Sequence, residues 1–219
     1  MIMPPSSNHA GPWLFLDTET TGKALHKAPP DHPDQPRIVQ LAAILYDTDR
    51  RVVSEFNCLI KPDGFAIPQE ATDIHGISTE QADTYGLKIG TALGVLCQLI
   101  KRSRLIVAHN MAFDSLLIHS ELCRLKNADF LALFMGCERH CTMEASTNIL
   151  KIPSPYRAGE YKWPKLIEAH QHFFGRGFDG AHDASADTKA CAAVYFAMNP
   201  LPTPDVPSAA PSADALSFD

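Results

Sequence analysis

The chain has 219 residues, a formal net charge of −6, 45% hydrophobic residues and 20% charged residues. These values are typical of a globular protein with one α/β-sized domain, and they argue against a protein that coats nucleic acid non-specifically through positive charge. No apolar run approaches the roughly 18 residues needed to cross a bilayer, and the N-terminus lacks the basic-then-apolar order of a signal peptide. We therefore predict a cytoplasmic protein that makes no membrane contact.

The first three predicted strands form one unit. A strand at 13–18 is followed by a loop at 22–36 that contains four prolines. Apolar strands at 37–47 and 52–60 come next, and a short polar turn separates them. Neighbouring strands joined by a short turn favour an antiparallel meander.

Helices dominate the rest of the chain. Ser78 is a predicted helix N-cap, because Ser-Thr-Glu-Gln is typical of a capping box. The fourth strand follows a helix, so we expect it to run parallel to the first. The predicted helices are 68–74, 78–85, 87–101, 111–126, 163–174 and 183–198, and the remaining strands are 104–108 and 139–143. The prediction is an α/β domain with one mixed five-stranded sheet flanked by helices.

The ends of the chain differ from its middle in composition. Five prolines alternate with Ser and Ala in 200–219, and few apolar residues are available to join a core. We predict a flexible N-terminus at 1–11, a folded domain at 12–199 and a disordered tail at 200–219.

Cysteine use is typical of a reducing compartment. The six cysteines are scattered and mostly lie inside apolar segments, which predicts reduced, buried thiols. Cys137 and Cys141, with His140 between them, leave a zinc site open as an alternative. No second ligand pair follows them at zinc-finger spacing.

Three separated segments carry acidic residues suited to a metal site. Asp17 and Glu19 are two residues apart at the end of the first strand, so both side chains project from one face. A solvated strand end is the alternative for such a pair taken alone. Asp114 falls in the first turn of the helix after the fourth strand, and Asp187 falls one turn inside the last helix, just after His182.

This set of residues predicts metal-dependent chemistry on a phosphodiester. Carboxylate oxygens suit Mg²⁺ or Mn²⁺, and four carboxylates suffice for two such ions about 3.5–4 Å apart. A pair of ions can stabilise both the attacking and the leaving oxygen of a phosphoryl displacement. His182 is the predicted general base, because histidine titrates near neutral pH.

The same segments carry a family resemblance. Asp-Thr-Glu-Thr-Thr-Gly after the first strand, His-Asn-x-x-Phe-Asp after the fourth, and His-x-x-x-x-Asp near the end resemble the signature segments of the DEDDh 3′–5′ exonucleases. That family includes the proofreading epsilon subunit of bacterial replicative polymerase and has a ribonuclease-H-like fold. The resemblance extends over roughly 13–198.

The resemblance assigns roles to individual residues. It implies that Asp17, Glu19 and Asp187 hold the ion that activates water. It also implies that Asp17 and Asp114 hold the ion beside the leaving 3′ oxygen, with His182 as the base. The substrate-binding residues that it implies are Thr20, Asn110 and Phe113.

The expected reaction is release of nucleoside monophosphates from the 3′ end of single-stranded or frayed DNA, in a proofreading or end-trimming role. Two alternatives remain open. One is an exoribonuclease on the same scaffold, because no motif reports a site for a 2′-hydroxyl. The other is a polymerase accessory subunit that has the fold without catalysis, although occupation of all five catalytic positions argues against it.

Several other polar residues have two interpretations. His109 is either structural or a second base, and His75 either lines the substrate path or stabilises a loop. Asp183 is predicted to cap the last helix. A basic group that either faces phosphates or is solvated surface charge consists of Lys151, Arg157, Lys162 and Lys165.

The tail ends in an apolar pair. Leu216 and Phe218 resemble the apolar positions of the hexapeptide by which bacterial polymerase subunits bind the sliding clamp, although Ala213 stands where glutamine is usual. A contact with a polymerase or sliding clamp is therefore one interpretation, and an inert tail is the other.

Overall fold

The computed structural model describes residues 11–201. The predicted flexible N-terminus and the tail with Leu216 and Phe218 lie almost wholly outside these residues. The elements in chain order are β1 (Trp13–Thr20), β2 (Ile38–Tyr46), β3 (Val52–Leu59), α1 (Gln69–His75), α2 (Thr79–Tyr85), α3 (Ile89–Ile100), β4 (Leu105–Ala108), α4 (Met111–Arg124), α5 (Ala128–Met135), β5 (Glu138–Cys141), α6 (Thr142–Leu150), α7 (Leu166–Phe174) and α8 (Ala184–Met198).

The five strands form one mixed sheet in the order β3-β2-β1-β4-β5. β1 pairs antiparallel with β2 and parallel with β4, and β2 pairs antiparallel with β3. The predicted fold class, the meander and the parallel fourth strand are therefore confirmed. Because β1, β4 and β5 run in one direction, their C-terminal ends lie at the same edge of the sheet.

The central strand β1 packs on both faces, as alternation along a strand dictates. Trp13 and Phe15 join a cluster with Tyr195 of α8, whereas Leu14 and Leu16 join the larger cluster that includes residues of α3 and α4. Helices therefore cover both faces of the sheet. In the part of the chain that the structure describes, no helix is long and apolar enough to cross a membrane.

Two helices were not predicted. α5 is apolar on most sides, so it has no helical stripe to distinguish it from a loop. The predicted strand at 139–143 is wrong for its last two residues, because β5 ends at Cys141 and α6 begins at Thr142.

The seventh helix begins later than predicted. It starts at Leu166 rather than at residue 163. Pro164 disfavours helical backbone at Trp163, and Glu168 accepts a hydrogen bond from the Lys165 backbone over 2.7 Å, which fixes the start of the helix.

Candidate active site

Asp17 and Glu19 lie near the C-terminal end of β1. Their side chains are on the same face of the strand as Trp13 and Phe15, which pack against α8. The intervening Thr18 is buried. The pairing of β1 with β2 shifts register just after Glu19, where the strand ends. The two carboxylates thus point toward the side of the sheet on which α8 begins.

Asp114 lies in the first turn of α4 and is only 2% exposed. Its Oδ1 accepts a hydrogen bond from the hydroxyl of Thr18 over 2.8 Å. Asn110 precedes the helix with a φ of 75°, a left-handed conformation that asparagine tolerates better than most residues. This turn directs the chain from β4 into α4, where Asp114 meets the end of β1.

His182 and Asp187 lie at the start of α8. Asp183 caps the helix, as predicted, by accepting a hydrogen bond from the Ala186 backbone over 3.0 Å. The backbone N–H of His182 donates to Oδ2 of Asp187 over 3.2 Å. His182 has a φ of 69°, which is uncommon for a non-glycine residue, and its side chain is exposed.

The structure brings the three segments together. Potential ligand atoms of Glu19, His182 and Asp187 all lie within 4.8 Å of one another, so the three residues could hold a metal ion. Burial, and next the charges of Asp114 and Asp187, raise the pKa of Asp17 well above its ordinary value. Asp17 and Asp114 are therefore electrostatic neighbours of this group.

The remaining carboxylates also resist ionisation. Burial, and next the charge of Asp187, raise the pKa of Glu19 to about 8. Burial raises the pKa of Asp114 to about 7, although the Thr18 hydrogen bond opposes the shift. Burial is also the main cause of a raised pKa at Asp187. Buried carboxylates that repel one another suit a hard divalent cation, because its positive charge offsets both their mutual repulsion and their loss of hydration.

A pocket of about 350 Å³ opens beside these acids. One wall is the end of β1, including Glu19 and Thr20, and the opposite wall includes Ile74 and His75 of α1. Phe113 of α4 completes the lining. Two of the predicted substrate-binding residues, Thr20 and Phe113, therefore face one cavity, and Asn110 is not among the residues that line it.

Two further histidines have defined surroundings. The Nε2 of His109 donates to the carbonyl of Pro164 over 3.0 Å, and its Nδ1 lies 2.9 Å from the hydroxyl of Thr142. Both ring nitrogens are engaged and burial lowers the pKa, which favours the structural interpretation over a second base. His75 accepts a hydrogen bond at Nδ1 from the Ile77 backbone over 3.1 Å while it lines the pocket.

Gln40 is a site residue that sequence reasoning missed. It pairs with Glu19 across the sheet and is 4% exposed. Its Nε2 donates to Asp183 over 2.9 Å and to Asn57 over 3.1 Å, and its Oε1 accepts from the Ala184 backbone over 3.1 Å. Gln40 therefore attaches the start of α8 to the sheet beside Glu19. Sequence reasoning also missed Thr18. The Thr18–Asp114 and Gln40–Asp183 hydrogen bonds each join segments far apart in the chain, so no local pattern indicates them.

The alternative zinc site is not supported. Within residues 11–201, the group of Glu19, His182 and Asp187 is the only one of three or more His, Cys, Asp or Glu residues with ligand atoms close enough to share an ion. The thiol of Cys137 instead donates to the carbonyl of Leu133. All six cysteines are free, as predicted, but only Cys97 and Cys191 are buried, and the other four are half-buried.

Comparison with known proteins yields a family match and two curated relatives. The model of the exonuclease family RNase_T matches residues 14–195. The chain is 30% identical over 200 residues to the uncharacterized exonuclease CP81 of Escherichia phage 186, which covers 88% of this chain and 93% of that protein. It is 31% identical over 156 residues to the DNA polymerase III subunit epsilon-like protein of Rhodobacter capsulatus, and this match covers 67% of the chain and 21% of that protein.

Solved structures show the same fold. A structure of exonuclease I aligns with a TM-score of 0.66 at 23% identity and covers 86% of this chain. E. coli exonuclease I in complex with a 5cy-dT13 oligonucleotide aligns with a TM-score of 0.65 at 22% identity and covers 84% of this chain. The chain spans 40% and 39% of the lengths of these two proteins.

Proposed function

Because the chain belongs to the RNase_T exonuclease family, we propose that it is a metal-dependent 3′–5′ exonuclease of the DEDDh type. Its substrate is the 3′ end of single-stranded or frayed DNA, and its products are nucleoside monophosphates. The observation that carries the proposal is the convergence of Glu19, His182 and Asp187 within 4.8 Å, next to Asp17 and Asp114. The proposed exonuclease domain extends over 12–199, and the family model matches residues 14–195 of it.

The cofactors in this proposal are two Mg²⁺ or Mn²⁺ ions. Asp17, Glu19 and Asp187 would hold one ion, and Asp17 and Asp114 the other. When bound, the ions would stabilise the negative charge that develops on the phosphodiester oxygens. The oxygen-rich donor set and the raised pKa values of Glu19 and Asp114 fit this cofactor. A bound cation would stabilise the ionised form of both carboxylates, which burial otherwise disfavours.

Protein side chains perform the remaining steps. His182 takes the proton of the attacking water, and its exposed position allows the ring to return that proton to solvent. Thr20 and Phe113 hold the terminal nucleotide in the pocket beside Glu19. Asn110 shapes the approach through the left-handed turn that begins α4.

DNA is the proposed substrate rather than RNA. One relative is named after a DNA polymerase subunit, and one structural neighbour was solved with a dT13 oligonucleotide. The proposed role is proofreading or end trimming. The free cysteines are consistent with a cytoplasmic enzyme.

Digestion of end-labelled nucleic acids tests this proposal. The substrates are matched single-stranded and duplex DNA and RNA, each labelled at either the 5′ or the 3′ end. The proposed polarity predicts immediate release of a labelled mononucleotide from the 3′-labelled DNA and a ladder from the 5′-labelled DNA. Immediate release of a labelled mononucleotide from the 5′-labelled DNA would contradict the proposed 3′–5′ polarity. Faster digestion of RNA than of DNA would favour the exoribonuclease.

A link to a replication partner has a separate test. Leu216 and Phe218 lie outside the described residues, and the proposal of clamp or polymerase contact comes from their spacing in the sequence. A labelled peptide of residues 213–219 is titrated against the host's clamp and polymerase. Binding that is lost in Leu216→Ala with Phe218→Ala supports a tether, which would raise the enzyme's effective concentration at a primer end. No binding to either protein contradicts it.

A further inference from the structure

A short hairpin between α6 and α7 carries chemistry that the proposed catalytic step does not use. We call residues 151–165 the aromatic hairpin. Pro153 pairs antiparallel with Tyr161, the Ser154 backbone donates to Glu160 over 2.9 Å, and the Lys162 backbone donates to Ile152 over 2.9 Å. The segment therefore has a defined, hydrogen-bonded backbone.

Three aromatic side chains of the aromatic hairpin face solvent. Tyr156 is 93% exposed, Trp163 is 65% exposed and Tyr161 is 44% exposed. Single exposed apolar residues are ordinary on a protein surface, but three aromatic rings within eight positions are not. Tryptophan in particular is usually well buried, so the exposure of Trp163 is unusual for its residue type.

The aromatic hairpin is also positively charged. It has four basic residues and one acidic residue, which is a formal charge of +3 in a chain whose net charge is −6. Lys162 pairs with Glu168 of α7 over 2.5 Å, so the charge available to a ligand comes from the other basic residues. Arg157 pairs with Glu160 over 3.3 Å, and both side chains are mostly exposed. Such a pair contributes little to stability, so the guanidinium can exchange its carboxylate for a phosphate.

The base of the aromatic hairpin is attached to the candidate active site. The carbonyl of Pro164, which follows Trp163, accepts the hydrogen bond from His109. His109 directly follows β4 and precedes Asp114 by five residues, so this contact lies at the sheet edge where the acidic residues gather. The base of the aromatic hairpin is therefore attached at the same edge of the sheet as the acidic residues.

We propose that the aromatic hairpin binds single-stranded nucleic acid upstream of the nucleotide being removed. Bases stack on Trp163 and Tyr156, and Arg157 contacts the backbone phosphates. Aromatic stacking beside positive charge is the usual means of holding a single strand without reading its sequence. The upstream direction rests on the proposed function, which places the 3′ terminus in the pocket beside Glu19.

Tryptophan fluorescence tests the stacking directly, because the chain has only two tryptophans and Trp13 is 5% exposed. The protein in Mg²⁺ is titrated with a phosphorothioate thymidylate oligonucleotide of about 12 nucleotides, a length within the usual range of single-strand sites. We expect saturable quenching by the oligonucleotide and none by thymidine monophosphate at the same concentration, because its single base would occupy the pocket beside Glu19, which Trp163 does not line. The signal disappears in Trp163→Phe.

Affinities of matched variants complete the experiment. With the Kd measured by fluorescence anisotropy of a labelled oligonucleotide, Trp163→Ala should raise it about tenfold, while Trp163→Phe, which retains a stacking ring, should raise it far less. Tyr85→Ala, at a tyrosine of 76% exposure outside the aromatic hairpin, should change it less than about twofold. Absence of quenching at saturation, or an unchanged Kd in Trp163→Ala, would overturn the inference. Quenching by the phosphorothioate strand, together with no hydrolysis of an unmodified strand of the same sequence, would leave this inference standing and defeat the proposed function instead.

Discussion

The hydroxyl of Thr18 donates a hydrogen bond to Oδ1 of Asp114 over 2.8 Å, although 96 positions separate the two residues in the chain. Thr18 lies between Asp17 and Glu19 on β1, and its side chain points to the opposite face of the strand. The bond therefore joins the acidic pair on β1 to the acid on α4. It also lowers the pKa of Asp114 against the larger effect of burial.

Thr18→Val should weaken metal binding without changing the shape of the core, because valine replaces the hydroxyl with a methyl group. Loss of the hydrogen bond raises the pKa of Asp114 further, so a proton competes better with the cation. We expect the half-saturating Mg²⁺ concentration for nuclease activity to rise about 10–100-fold, and more at pH 7 than at pH 9. Thr18→Ser, which retains the hydroxyl, is the control. An unchanged Mg²⁺ requirement in Thr18→Val would show that the bond does not matter.

Gln40→Leu should reduce turnover although Gln40 touches neither of the proposed ions. The change removes the contacts with Asp183 and Ala184, so the start of α8 loses its attachment beside Glu19. A displacement of His182 and Asp187 by about 1 Å would lower kcat about 100-fold. The control is Asn57→Ala, which removes the other partner of the Gln40 amide and leaves α8 attached. Equal kcat values in the two variants would contradict this role.

Stability without metal should fall as pH rises. The pKa of Glu19 is raised from 4.5 to about 8 and that of Asp114 from 3.8 to about 7, so the folded state holds protons that the unfolded state releases. Each group therefore destabilises the fold progressively above its unfolded pKa, until pH passes its folded pKa. In chelator, we expect the Tm to be lower at pH 8 than at pH 5, and Mg²⁺ to raise it more at pH 8.

Asp114→Asn isolates this effect, because the amide does not titrate. The variant should lose part of the pH dependence of the Tm and should be at least as stable as the wild type in chelator at pH 8. A variant that unfolds more easily than the wild type under these conditions would mean that the carboxylate is stabilising rather than strained.

His182→Ala should lower turnover by about 10²–10⁴, as expected for loss of a general base. The ascending limb of the pH–rate profile should disappear, and the Tm increase on metal binding should remain. His172→Ala, at an exposed histidine of α7, is the control. Near-normal turnover at neutral pH would require another base. His109 is poorly placed for that role, since both of its ring nitrogens already have partners.

Local patterns predicted the strands and the acidic segments that the structure brings together, because apolar runs, turn residues and capping residues are visible within a few positions. The meander, the parallel fourth strand and the cap at Asp183 all follow from such signals. The contacts of Thr18 and Gln40 could not be predicted, since each depends on packing between segments far apart in the sequence. α5 was not predicted because a helix that is apolar on most sides lacks the periodic apolar face by which helices are recognised. α6 was not predicted because it begins at Thr142, directly after the last residue of β5.

The most direct measurement compares the wild type with Asp17→Asn during digestion of 5′-labelled single-stranded DNA across a Mg²⁺ titration and in excess chelator. Asp49→Asn, in the exposed turn between β2 and β3, is the matched control. We predict that the wild type and the control degrade DNA only with the metal. Asp17→Asn should remain inactive at every Mg²⁺ concentration, with a Tm in chelator equal to or above that of the wild type. Wild-type turnover in excess chelator near the rate with Mg²⁺, or full activity of Asp17→Asn, would contradict a carboxylate-held metal as the source of the nuclease activity.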